Sequence, residues 1–191
     1  MSIPELSRST SEQETRARLG PKRDKENCLM SSKIAPCLWF NGDAEAAAKL
    51  YTSLFPDSRI TSVMRSPADN PSTSEGAVLT VEFNLAGQKF IGLNGGPEFQ
   101  FSEAVSFTID CADQAEVDRY WDALTADGGE PSQCGWLKDR FGVSWQVIPR
   151  QLQELLGGSD PDGARRAMEA MLQMSKIDVA ALEEAYEGVP A

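Results

Sequence analysis

Residues 33–56 read KIAPCLWFNGDAEAAAKLYTSLFP, and the order of their periodicities decides the fold. In Lys33 to Phe40, alternation places Ile34, Leu38 and Phe40 on one face and Ala35, Cys37 and Trp39 on the other, the two-residue period of a strand. Asn41-Gly42-Asp43 is a turn that supplies a helix N-cap. The period then changes to that of a helix, with Ala47, Leu50, Tyr51 and Leu54 on one side, until Pro56-Asp57-Ser58 stops it. Strand character returns from Arg59 to Arg65. After a polar loop, AVLTVEFNLAGQKFIGLN reads as two strands joined by a tight turn at Ala86-Gly87. The unit is β-α-β-β-β.

The same order recurs downstream. AVSFTID, Ala104 to Asp110, is a strand, and DQAEVDRYWDALTADGG follows with Val117, Tyr120, Trp121 and Leu124 at a constant offset from the first helix's apolar positions. SQCGWLKD and VSWQVIPR, joined across Arg140-Phe141-Gly142, mirror the first unit's closing hairpin. The two units, 33–95 and 103–149, are expected to form one domain, with Gly95-Gly96-Pro97 and an aromatic linker between them. Residues 150–191 read as short helices, with Pro161 at a helix start and Asp178 as an N-cap. Residues 1–32 are polar, mixed in charge and without period, and read as a flexible arm; Glu5, Glu12, Glu14 and Asp24 argue against a mitochondrial presequence.

Composition narrows the function. A net charge of −11 with 18 basic residues disfavours binding to a polyanion, so nucleic acid is excluded as an expected partner. No apolar run approaches the roughly 20 residues of a spanning helix, nor does an apolar secretory core open the chain, so a cytoplasmic protein is expected, with no membrane partner. Cys28, Cys37, Cys111 and Cys134 are widely spaced, which suits reduced thiols. The chain has no His, which removes the commonest metal ligand and the usual base near neutral pH.

Two tandem βαβββ copies carrying LWFNGDAEAAAKLYTSLFPDSRI, NGGPEFQFSEAVSF, CGWLKDRFGVSWQVIP and AMLQMSKIDVAALE resemble the PhnB-like family. Its members often bear the label 3-demethylubiquinone-9 3-methyltransferase, and it belongs to the vicinal-oxygen-chelate, or glyoxalase-like, superfamily. The resemblance spans about Lys33 to Glu187 and implies an α+β fold of two tandem βαβββ modules plus C-terminal helices. It also implies half-barrel sheets that enclose a cavity, and a homodimer. In that superfamily, His, Glu or Gln side chains of the first and last strands hold a divalent metal. Carried over, those positions fall at about Ala35 and Ala104, at Ile91 or Gly92, and at Gln146, of which only Gln146 can donate oxygen. No metal and no cofactor are therefore expected.

Strand alternation and the turns nominate a pocket of Cys37, Trp39, Asn94, Ser106, Thr108, Trp136 and Gln146 for an unknown small molecule. Against this stands the ordinary role of Trp39, Trp136 and Trp145 as core aromatics. Cys37 as a nucleophile would need a nearby cation or base, and no His can serve. Cys134, in Gln133-Cys134-Gly135-Trp136, reads as a turn residue. Glu82, Glu98, Glu103 and Asp110 read as solvated acids, with no sign in the sequence that two converge. Asn94-Gly95-Gly96 lacks the context of a phosphate loop, and no Gly-rich turn of a nucleotide fold accompanies the methyltransferase label. Small-molecule binding is the first reading. The alternatives are a metal-free enzyme of unknown reaction, and an interaction module whose cavity is filled by its own side chains.

Overall fold

The computed structural model describes residues 33–189; the arm expected over 1–32, with Cys28, lies outside them. The first strand, β1 (Cys37–Phe40), is shorter than its sequence pattern. It starts after Pro36, which has no N–H to donate but whose carbonyl still accepts from Ile91 N at 3.0 Å. Leu38 and Phe40 are buried as alternation requires, whereas Ile34, off the strand, is exposed. Helix α1 (Ala44–Leu54) follows and buries Ala44, Ala47, Ala48 and Tyr51. Then come β2 (Arg59–Arg65), β3 (Val78–Leu85) and β4 (Gln88–Asn94). They form a sheet ordered β1-β4-β3-β2, in which β1 is parallel to β4 and the rest is antiparallel. Ala86 and Gly87 both have positive φ, 45° and 88°, the turn geometry that matches hairpin twist.

The second module repeats this order with β5 (Phe107–Cys111), α2 (Gln114–Thr125), β6 (Glu130–Pro131), β7 (Trp136–Lys138) and β8 (Ser144–Pro149). Its sheet runs β5-β8-β7-β6, and α2 buries Val117, Tyr120, Trp121 and Leu124, the residues its period predicts. Asp113 caps α2 by accepting from Glu116 N at 2.9 Å.

Asp43, the residue of the Asn41-Gly42-Asp43 turn at the α1 cap position, makes no such bond. Asn94, at the end of β4, supplies it instead: its Oδ1 accepts from Ala44 N at 2.9 Å, while its Nδ2 donates to Val78 O.

One apolar cluster runs through both helices and the helix-covered faces of both sheets, joining Leu38, Val81, Phe83, Leu137, Trp145 and Val147. The modules meet through it. Tyr51 packs against Trp145 and Phe141, Phe55 stacks on Tyr120, and Phe90 meets Phe107 edge-on. At the seam, Asp139 is buried and accepts four hydrogen bonds, from Tyr51 Oη at 2.6 Å, Trp145 Nε1 at 2.9 Å and the amides of Phe141 and Val143. Desolvation holds its carboxyl above the usual range, while the same burial and the Asp139 charge push the Tyr51 hydroxyl well up.

Three helices end the chain: α3 (Arg150–Leu156), α4 (Pro161–Met171) and α5 (Val179–Glu187). They build a smaller core on Leu152, Ile177 and Leu182 that includes Ile148 of β8. Amides of Cys134 and Gly135 donate to Met174 O and Ser175 O, and Gln114 bonds both Ile177 O and Val179 N, so this core is tied to the second sheet and to α2. Among the described residues, no helix is long and apolar enough to cross a membrane.

Candidate functional site

Both sheets have one face covered by the shared core and one that is not. Register assigns Cys37, Trp39, Ile91 and Leu93 to the uncovered face of the first sheet, because their neighbours Leu38, Phe40 and Phe90 point into the core. Thr108, Trp136 and Gln146 stand together on the uncovered face of the second, Gln146 being the register partner of both others. Gln146 Nε2 also donates to Ser106 Oγ at 2.8 Å. The nominated pocket thus divides between two sheets, and Asn94, buried as the α1 cap, lies on the core side.

A groove of about 620 Å³ lies elsewhere, along the free edge of β5. Its walls come from the C-terminal end of α1 (Phe55), the β3–β4 hairpin (Leu85, Gln88, Phe90), β5 itself and α2 (Glu116, Tyr120), with Trp145 and Arg150 contributed by β8 and α3. Ser106 and Thr108 are the nominated residues it takes in. Trp39 lines a separate, more polar groove of about 410 Å³ with Phe99, Lys138 and Arg140. Trp136 borders a cavity of about 130 Å³ beside Ser144, well under the roughly 300 Å³ of ordinary ligand pockets.

The large groove is aromatic by construction. Phe55 stacks on Tyr120 at 5.0 Å and on Trp145 at 5.7 Å, with interplanar angles of 21° and 25°. Phe107 leans on Trp145 at 5.5 Å. At the groove's mouth Arg150 Nε donates to Asp110 Oδ2 at 3.0 Å, both side chains being well exposed. Glu116 Oε2 accepts from Ala112 N. Phe55, Phe107 and Arg150 are not singled out by the sequence, and Tyr120 reads there only as an apolar position of its helix. Phe55 and Phe107 are half-buried at the packing of one module on the other, while Tyr120 and Trp145 behind them are core.

The thiols fit a structural role. Partial burial raises the Cys37 thiol, and burial with the charges of Glu116 and Asp110 pushes Cys111 up to about 12. Trp39 is pinned rather than free: its Nε1 donates to Gly96 O at 2.8 Å, and its ring lies where a Cβ on Gly95 would be, 2.3 Å away. Glu98 is exposed.

A divalent metal of the superfamily type finds no matching donor set. The carried-over positions offer Ala35, Ala104 and Ile91 or Gly92, which leaves the Gln146 amide oxygen as the one donor among them. Among the described residues, no three His, Cys, Asp or Glu side chains converge to hold an ion.

The profile of the family described as 3-demethylubiquinone-9 3-methyltransferase matches residues 32–148. The chain belongs to this PhnB-like family. Among solved structures it is similar to a Bacillus cereus PhnB protein carrying the same methyltransferase description, at 35% identity and a TM-score of 0.56, covering 61% of this chain and 98% of that one. A Pseudomonas aeruginosa protein is similar at 21% identity and a TM-score of 0.51, covering 61% and 96%. A glyoxalase/bleomycin resistance protein of Albidiferax ferrireducens matches at 17% identity and a TM-score of 0.41, covering 62% and 99%. No curated protein matches. The PhnB-like match stops at the end of β8, so α3 to α5 lie beyond it.

Proposed function

We propose that this PhnB-like protein binds a small molecule without metal, in the cytoplasm and as a homodimer. The observation that carries the reading is the aromatic groove along β5, whose 620 Å³ exceeds the roughly 300 Å³ that ligand sites need. Ser106 and Thr108 would orient the ligand, with Gln146 holding the Ser106 hydroxyl.

Dimerisation is supported by the uncovered sheet faces. Cys37 and Met64 are exposed on the uncovered face of the first sheet in one protomer, and a second copy is the simplest cover for them. Cys37, Trp39 and Trp136 would then contribute at that contact. The family's methyltransferase description is taken as a name only, because two βαβββ modules lack the alternating βα units and Gly-rich turn that bind a nucleotide-type methyl donor.

Native mass spectrometry of protein purified from its source tests the reading. The expected spectrum is a dimer carrying a co-purifying organic molecule. Stoichiometric zinc, nickel or iron would overturn the metal-free part, and an unliganded protein that binds no member of a metabolite panel would overturn small-molecule binding.

A further inference from the structure

We infer that the cavity beside Ser144, on the uncovered face of the second sheet, binds a small neutral group that both donates and accepts hydrogen bonds, a primary carboxamide or a hydroxyl. It lies apart from the groove along β5 and goes beyond the reading of that groove.

One hydroxyl points to the site. Four polar residues are buried among the described ones: Ser66, Asn94, Asp139 and Ser144. The Ser66 hydroxyl donates to Ala68 O, the Asn94 amide serves two backbone groups, and the Asp139 carboxylate accepts four bonds. Ser144 is the exception: it is 2% exposed, and its Oγ finds no hydrogen-bond partner among the described residues. A buried hydroxyl left unpaired is costly, so a partner from outside the chain is favoured.

That hydroxyl has space in front of it. Ser144 lines a cavity of about 130 Å³ with Lys138, Glu103, Glu130, Ser132 and Trp136. Register brings them together. Glu130, Lys138 and Ser144 form one cross-strand row over β6, β7 and β8, and Trp136 with Gln146 stands in the next row on the same face. The volume is that of about four waters, room for a group of that many heavy atoms rather than for a whole metabolite.

Charge argues for a neutral guest. Lys138, the one cation lining the cavity, is paired with Glu103. That hydrogen bond, with a smaller contribution from the Glu130 charge, holds the Lys138 ammonium above its ordinary value. An anion would have to displace Glu103, and a cation would sit against Lys138. A carboxamide or hydroxyl leaves the pair intact, accepting from the Ser144 hydroxyl and donating to the Glu130 carboxylate.

Three isosteres separate the classes: acetamide, acetate and acetamidinium share one shape and differ in charge. Each is titrated into the full chain at constant ionic strength while NMR follows the Trp136 indole N–H, assigned by its loss in Trp136→Phe. The expected result is a saturable millimolar response to acetamide, with acetate and acetamidinium about tenfold weaker or more. Ser144→Ala should weaken acetamide about fivefold, the share of one hydrogen bond. The same variant should melt at or above the parent, because it removes an unpaired polar atom. A response that never saturates means that the cavity holds water alone, and overturns the site. Tighter or equal binding of either ion overturns the neutral class. Acetamide affinity unchanged in Ser144→Ala, or a variant melting well below the parent, overturns the assignment to Ser144. None of these outcomes touches the groove along β5, whose own test is separate.

Discussion

At the scale of single residues, the Tyr51 and Asp139 pair is the contact that most depends on its surroundings. Both are buried at the seam between modules, and deleting one partner leaves the other unsatisfied. Tyr51→Phe should therefore lower unfolding free energy by about 1–3 kcal/mol in urea titration. Its pH signature is distinctive. The folded chain holds the Tyr51 proton to a pH well above the ordinary value near 10, so the stability this gives is complete below about pH 10 and is lost as pH rises further. Tyr51→Phe should flatten that alkaline decline. Asp139, also raised, acts with the same sign at the acid end: its protonation favours the fold below about pH 4, and that contribution fades as pH rises through its folded value. For the thiols, the native protein's pH profile of reaction with an aromatic disulfide should show Cys37 titrating above an ordinary cysteine, with Cys111 unreactive at pH 8. A fast, acid-shifted Cys37 would revive its candidacy as a nucleophile. Sequence alternation placed Cys37 and Trp39 on the correct side of β1, but could not say that Trp39 is locked against Gly95, since that contact spans 56 positions.

At the scale of elements, α1 shows how a local rule is overridden. Asn41-Gly42-Asp43 has cap composition, yet the α1 N-terminus is satisfied by Asn94 from the far end of β4. Asn94→Ala should cost about 1–2 kcal/mol, more than Asp43→Ala, because the Asn94 amide serves two backbone groups inside the protein. Equal melting losses for the two variants would contradict this assignment. The α2 cap is local: Asp113, next to the helix in sequence, supplies it. The difference lies in where the cap's partner comes from: a neighbour in sequence is legible, whereas a neighbour in space is not. The strand β6, only two residues long, is likewise defined by its pairing with β7 rather than by its own period.

At the scale of the whole molecule, the tail core is continuous with the second module. Bonds from Cys134, Gly135 and Gln114 to the segment around Ile177 predict that tail and sheets unfold together. Leu182→Ala should destabilise by about 2–5 kcal/mol and shift a single transition monitored by both circular dichroism and tryptophan emission; two separated transitions would show an independent tail. The sequence by itself determined the doubled βαβββ order, the buried faces of both helices and the absence of His, because each depends on local period, internal repetition or residue chemistry. Only the tertiary structure decided which faces meet. The modules join through their helix-covered sides, so the nominated pocket residues stand on separate sheets and the aromatic groove opens along β5. The reason is physical: periodicity tells which side of an element is apolar, but the partner of that side is chosen by packing among segments far apart in the chain.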